Sequence, residues 1–163
     1  MHDSARQYVA TVVAGQRYAR VVEVGSRDIN GEIRSLVDAG TYVGIDLEDG
    51  PGVDVVADCR YWEPPWKASL VLCCEVLEHA PEPRAVVDAC IGYLRPGGRL
   101  IVTCAGPGRE PHSGHDGGSV QADEHYANID PDDLEKWLAE DLEAVRVEFR
   151  AIPCDVYATG IKR

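Results

Sequence analysis

The sequence predicts an α/β fold in which a doubly wound, mostly parallel sheet ends in an antiparallel C-terminal strand. Strand-like and helix-like segments alternate along the chain, which is typical of a parallel sheet with helices on its faces. Residues 21–31, VVEVGSRDING, indicate a buried strand that ends in an acid and a tight glycine turn. A second acid, Asp46, follows the next strand-like run. Ligands of such sheets bind at the carboxyl ends of the strands, where these acids fall.

The first half of the chain predicts two helices and three strands. The first helix belongs to an N-terminal segment of residues 1–19, with Ser4 as its cap and Gly15 near its end. A second helix is expected between Asn30, as cap, and Gly40, because apolar residues recur there at helical spacing. The strands of this half are predicted at residues 20–24, 42–45 and 53–57.

The second half continues the alternation and then departs from it. Strands are predicted at residues 68–73, 99–104, 145–152 and 156–161, and helices at residues 85–93 and from Pro131 onward. Residues 105–127 are rich in glycine, contain three of the five histidines and have almost no apolar side chains. A loop of this length within a compact domain is usually functional or disordered, so we expect it to form a substrate loop. The whole of residues 1–163 is predicted to be a single domain.

Composition limits the class of partner. The net charge of −12 in a chain of 163 residues argues against a phosphate-binding surface, and therefore against a nucleic-acid substrate. A small or cationic ligand suits this charge better. No apolar run approaches the length of a membrane span, and the N-terminus lacks a signal-peptide pattern, so we expect a cytoplasmic protein without a membrane partner. The sequence does not predict the oligomeric state.

The cysteines and histidines do not predict a metal site. None of the six cysteines forms a C-x-x-C pair, and several lie in apolar runs, so they are expected to be buried and reduced. His112, His115 and His125 lie in the glycine-rich loop, which presents no fixed face for metal ligands. A histidine here could instead act as a general base, for which His115 and His125 are the candidates.

Five segments in this order resemble the class I S-adenosylmethionine-dependent methyltransferases, in their small-molecule, type 11-like branch with a Rossmann-like sheet. The segments are Glu23-Val24-Gly25-Ser26, Gly44-Ile45-Asp46, Ala57-Asp58-Cys59, Glu75-Val76-Leu77-Glu78-His79 and Leu94-Arg95-Pro96-Gly97-Gly98-Arg99-Leu100. The resemblance is close over residues 20–105. One departure is the first turn, where the family's G-x-G-x-G pattern is replaced by a longer one, so that Ser26 or Arg27 could supply contacts that glycine amides supply elsewhere.

The resemblance implies a set of cofactor contacts. Glu23 is expected to organise the methionine ammonium group, Asp46 to accept both ribose hydroxyls, and Asp58 to accept the adenine amino group. The remaining implied contacts are Gly25 and Ser26 in the first turn and Leu47 directly after Asp46. The Cys59 amide is expected to donate to the adenine ring, and Cys74 and Glu75 to form the wall near the sulfonium. Glu78 and His79 are expected to be structural.

The resemblance implies S-adenosylmethionine-dependent methyl transfer to a small-molecule acceptor, whose pocket we expect from residues 59–66 and 105–127. An alternative is a non-catalytic module that binds S-adenosylmethionine or another nucleoside as a sensor or partner subunit. The few apolar residues of the loop and the short region before the first strand favour that alternative. A nicotinamide oxidoreductase is disfavoured, because the glycines that cradle a pyrophosphate are absent. The acceptor, the acceptor atom and the need for a base stay open.

Overall fold

The computed structural model describes residues 3–163, and its centre is a seven-stranded sheet in the order β3-β2-β1-β4-β5-β7-β6. The strands are β1 (Arg17–Val24), β2 (Asp38–Asp46), β3 (Val55–Val56), β4 (Ala68–Cys74), β5 (Leu94–Ala105), β6 (Leu142–Arg150) and β7 (Asp155–Lys162). Neighbours from β3 to β5 pair in parallel, whereas β7 runs antiparallel to both β5 and β6. The predicted fold class is therefore confirmed.

Three α-helices cover the two faces of the sheet. They are α1 (Asp3–Val13), α2 (Pro83–Tyr93) and α3 (Pro131–Ala139). The buried apolar side chains of α2 and α3 pack into one cluster with one face of the central strands, and those of α1 belong to a second cluster on the other face. Because β4 is buried on both faces over its whole length, its sequence is a continuous apolar run.

The predicted helix between the first two strands is wrong. The chain there forms only a single 3-10 turn, Arg34–Leu36, before β2 begins at Asp38. Strand pairing overrides the helical spacing, because Asp38 pairs with Arg17 and the next residues follow in register. Gly40 does not end a helix but allows a close strand approach, since a Cβ there would lie 2.8 Å from the carbonyl oxygen of Ala19.

The N-terminal helix ends near Gly15, as predicted, but begins before its predicted cap. The segment predicted at residues 1–19 contains a helix that ends at Val13, and β1 already begins at Arg17; residues 1 and 2 lie outside the described residues. Gly15 ends the helix with a φ of +69°. Ser4 lies within α1 instead of capping it, and its hydroxyl donates to Asp155 over 3.4 Å.

The remaining elements match their predictions closely. The fifth strand starts earlier than predicted, because the Pro96-Gly97-Gly98 segment is an irregularity within β5 and not a turn before it. The cysteines are largely buried, as predicted, with Cys154 half-buried. Among residues 3–163, no helix is long and apolar enough to cross a membrane.

Candidate functional site

A cavity of about 440 Å³ opens at the carboxyl ends of β1, β2 and β4. All eleven residues predicted as cofactor contacts or bases line it: Glu23, Gly25, Ser26, Asp46, Leu47, Asp58, Cys59, Cys74, Glu75, His115 and His125. The fold therefore brings the whole predicted set to one place. Whether each residue binds a ligand there stays a prediction.

The turn after β1 is held by hydrogen bonds to β2 and by close packing against Val76. The amides of Gly25 and Ser26 both donate to the carbonyl of Ile45, over 2.9 and 3.1 Å. Gly25 has a φ of +74°, and a Cβ at this position would lie 2.2 Å from a methyl carbon of Val76, so only glycine fits. The Ser26 hydroxyl is buried beside Gly44 and has no hydrogen-bond partner in the described chain.

Glu23 is a buried acid of the cavity with a raised pKa. Its side chain is buried near the end of β1, and burial raises its pKa from 4.5 to about 7. The Tyr42 hydroxyl donates to the Glu23 carboxylate over 2.8 Å and partly offsets this effect. A buried carboxylate with a single hydroxyl partner is stabilised by a nearby cation, which suits an ammonium group in the cavity.

Asp46 is held in a defined orientation at the end of β2. Its two carboxylate oxygens accept from the amides of Arg27 and Glu48, each over 3.1 Å. Each oxygen keeps a free lone pair, so the carboxylate can still accept from a diol. The neighbouring Leu47 is 70% exposed and lies at the mouth of the cavity.

Asp58 is paired within the protein. The Arg60 guanidinium donates to both of its carboxylate oxygens, with a shortest distance of 2.7 Å, and these hydrogen bonds lower the pKa of Asp58. A ligand amino group would therefore share this carboxylate with Arg60. The adjacent Cys59 is buried, and its carbonyl accepts from the Tyr93 hydroxyl.

Glu75 has an unusual backbone conformation at the end of β4. Its φ of +58° lies in the left-handed region, which is uncommon for a residue other than glycine and often marks a functional site. The Glu75 amide donates to the carbonyl of Thr103 over 2.7 Å, and the Thr103 hydroxyl donates to the Glu75 carboxylate over 2.9 Å. Burial raises the pKa of Glu75.

The loop of residues 106–130 covers one side of the cavity and is organised by Glu124. The Glu124 carboxylate accepts from the Ser113 hydroxyl over 2.7 Å and from the amides of Gly114 and Gln121 over 3.0 and 2.6 Å. His115 Nδ1 lies 2.8 Å from Glu48, which connects the loop to the end of β2. His125 also lines the cavity but is exposed.

A second cavity of about 480 Å³ adjoins the first, and both share Glu75 and His79. The sequence prediction missed His79 as a lining residue, although its position just after the fourth strand was a usable signal. His79 is half-buried, and burial lowers its pKa to about 4, so the ring is neutral near pH 7.

Of residues 59–66, which are expected in an acceptor pocket, two line the first cavity and none lines the second. Cys59 and Arg60 line the first cavity. Tyr61, however, is 83% exposed, and Trp62 packs edge-to-face on Tyr93 against the core. Neither Tyr61 nor Trp62 lines either cavity.

The fold and the acid-lined cavity define a class I methyltransferase domain. A family model described as a methyltransferase domain matches residues 5–141. The chain belongs to this methyltransferase family, which confirms the resemblance inferred from the five sequence segments.

Solved structures of methyltransferases share the whole fold at low sequence identity. An amino pentose methyltransferase from Micromonospora echinaspora with bound S-adenosylmethionine has a TM-score of 0.72 and 16% identity, over 99% of this chain and 91% of that one. The N-methyltransferase NodS from Bradyrhizobium japonicum, in complex with S-adenosylhomocysteine, has a TM-score of 0.70 and 15% identity, over 98% and 86% of the two chains.

Curated relatives match over shorter stretches. A ubiquinone biosynthesis O-methyltransferase from Xylella fastidiosa is 51% identical over 41 residues, which is 25% of this chain and 17% of that protein. One from Cupriavidus pinatubonensis is 37% identical over 60 residues, which is 35% of this chain and 24% of that protein. The match thus covers about a quarter of these relatives or less.

Proposed function

We propose that this protein binds S-adenosylmethionine in the first cavity and transfers its methyl group to a hydroxyl of a small molecule. The observation that supports this most is the gathering of Glu23, Asp46, Asp58 and Glu75 around one cavity. Four acids at one sheet edge repel one another, and a ligand that carries a sulfonium and an ammonium group offsets that repulsion. The donor set therefore fits this cofactor.

The proposed cofactor contacts come from residues at or just after the ends of four strands, β1 to β4. Glu23 faces the ammonium group, Asp46 accepts from the ribose hydroxyls, and Asp58 with the Cys59 amide contacts the adenine. Cys74 and Glu75 form the wall beside the sulfonium. When bound, the cofactor supplies a methyl group already activated for transfer, so the protein chiefly has to align the acceptor and exclude water.

The second cavity is the proposed acceptor space, and the loop of residues 105–127 forms its outer wall. It adjoins the first cavity at Glu75, beside the proposed sulfonium position. A hydroxyl acceptor must lose its proton, and the proposed bases are His115 and His125. Both line the first cavity and not the second, so the acceptor hydroxyl would enter the first cavity at its border with the second. Glu48 holds the His115 ring at 2.8 Å, which orients one nitrogen. The relatives that act as O-methyltransferases support an oxygen acceptor.

Calorimetry with S-adenosylhomocysteine tests cofactor binding, with Asp46→Asn as the variant and the exposed Asp38→Asn as its matched control. Losing a charged hydrogen-bond acceptor should weaken binding about 10- to 100-fold in the variant and leave the control unchanged. No binding to the unmodified protein at millimolar concentration would refute the proposal. Tight binding without S-adenosylhomocysteine production in a screen of phenols and sugars would favour the non-catalytic module.

A further inference from the structure

Three side chains with metal-binding atoms meet beside the second cavity, which His79 and His112 line, while Glu78 is fully buried next to them. Glu78 and His79 belong to the 3-10 turn Leu77–His79 after β4, and His112 comes from the loop across from it. One ligand atom from each lies within 4.8 Å of the other two. Ligands about 2.1 Å from a tetrahedral ion lie about 3.4 Å apart, so small side-chain rotations would bring this trio into coordination distance.

Glu78 supplies an independent observation that points to a ligand. Its side chain is fully buried, and one carboxylate oxygen accepts from the Ala105 amide over 3.1 Å. The other oxygen is buried and has no hydrogen-bond partner within residues 3–163. Leaving a buried carboxylate oxygen without a partner costs free energy, and a cation beside it would remove that cost.

The position of His112 is fixed as a metal ligand requires. Its Nδ1 lies 3.2 Å from the carbonyl of Glu110. When Nδ1 donates to that carbonyl, Nε2 keeps its lone pair for coordination, which is the usual second-shell arrangement of metal-bound histidine. The loop itself is anchored nearby, because the Ala127 amide donates to the carbonyl of Glu78 over 2.8 Å.

We propose that Glu78, His79 and His112 form a binding site for one divalent transition-metal ion of the zinc type, beside the second cavity. Two imidazoles and one carboxylate leave a fourth position open in a tetrahedral zinc site. His79 lines both cavities and His112 lines the second, so the trio borders the proposed acceptor space. The role of the ion rests on the proposed function: it would hold the hydroxyl of the acceptor. The sequence alone predicted no metal, because it did not show that the 3-10 turn supplies two of the ligands.

Titration of the chelator-treated protein with Co²⁺ tests this site, because cobalt reports its coordination by visible absorption. We expect one Co²⁺ per chain, displaced by Zn²⁺. His112→Ala and Glu78→Gln should each weaken Co²⁺ binding about tenfold or more, with the fold checked by thermal denaturation. His125→Ala is the matched control, since it removes a cavity histidine outside the trio and should leave the affinity unchanged.

Three results would overturn the metal site. They are no stoichiometric binding to the folded protein, equal affinity in His112→Ala and the unmodified protein, and a strong near-ultraviolet sulfur-to-cobalt band that shows cysteine ligation. S-adenosylhomocysteine calorimetry on the metal-free protein separates this proposal from the proposed function. Cofactor binding without Co²⁺ binding refutes the metal site alone, and Co²⁺ binding without cofactor binding refutes the proposed function alone.

Discussion

Replacing Glu23 by glutamine should stabilise the protein at alkaline pH. Glu23 is 5% exposed, and burial raises its pKa to about 7 from 4.5. The folded state therefore binds a proton that the unfolded chain releases between about pH 4.5 and 7. Over that window the stability contributed by Glu23 is lost as the pH rises, because ionisation has to occur inside the protein. Glutamine keeps an acceptor for the Tyr42 hydroxyl but has no charge to bury.

The magnitude follows from the difference between the two pKa values. At about 1.4 kcal/mol for each pH unit, a pKa of about 7 in place of 4.5 corresponds to about 3 kcal/mol at pH 8. About 1 kcal/mol of this destabilisation by Glu23 is already present at pH 5, where glutamate in the unfolded chain is largely ionised. The advantage of Glu23→Gln over the unmodified protein should therefore grow by about 2–3 kcal/mol between pH 5 and pH 8.

Urea denaturation of both proteins at pH 5 and pH 8 measures this difference directly. Glu75 and Glu78 also have raised pKa values through burial, but their contributions cancel in the comparison because both proteins retain them. Glu63→Gln, at an exposed position, is the matched control and should show no growth of the difference with pH. A Glu23→Gln advantage that is the same at both pH values would refute the reasoning.

Three further predictions concern the turn, a buried ion pair and the loop. Gly25→Ala should cost about 2–4 kcal/mol in urea denaturation because its methyl group collides with a valine, whereas Gly15→Ala, with a similar φ and open space, should cost about 1 kcal/mol. Arg109→Met removes the cation beside the fully buried Asp155 and should cost about 3–5 kcal/mol of unfolding free energy. Lys162→Met removes a surface ion pair and should cost below about 1 kcal/mol, so equal losses in the two variants would contradict the reasoning. Glu124→Ala should speed amide hydrogen exchange throughout the loop, and unchanged exchange would show that other contacts hold it.

The sequence predicts the central strands well because each is a local signal. The fourth strand is a continuous apolar run, and the first ends at an acid and a glycine, so neither needs information from elsewhere in the chain. The helix predicted between Asn30 and Gly40 is wrong because its spacing of apolar residues suits a helix, while the end of the segment, from Asp38, pairs with β1. That pairing is a tertiary interaction that a local pattern does not contain.

The acids of the site are predictable for the same reason, since parallel strands bring their carboxyl ends to one edge. Contacts between the loop and the sheet are not predictable from the sequence. His115 meets Glu48, and His112 meets His79, only because the loop of residues 106–130 returns across the cavities. Nothing in the glycine-rich sequence of this loop specifies that path. The sequence therefore predicts the carboxylates of the site but not the proposed metal-binding trio.

The acids that suit the cavity to a cationic ligand also lower the stability of the free protein. Burial raises the pKa of both Glu23 and Glu75, and Glu23, with a pKa of about 7, ionises above pH 7 at a cost in folding free energy. Asp58 avoids that cost through Arg60, but its carboxylate is then shared. A ligand with positive charge at the ammonium and sulfonium positions stabilises the folded state where the free protein is least stable. The same buried carboxylates thus lower the stability of the free protein and favour a cationic ligand in the cavity.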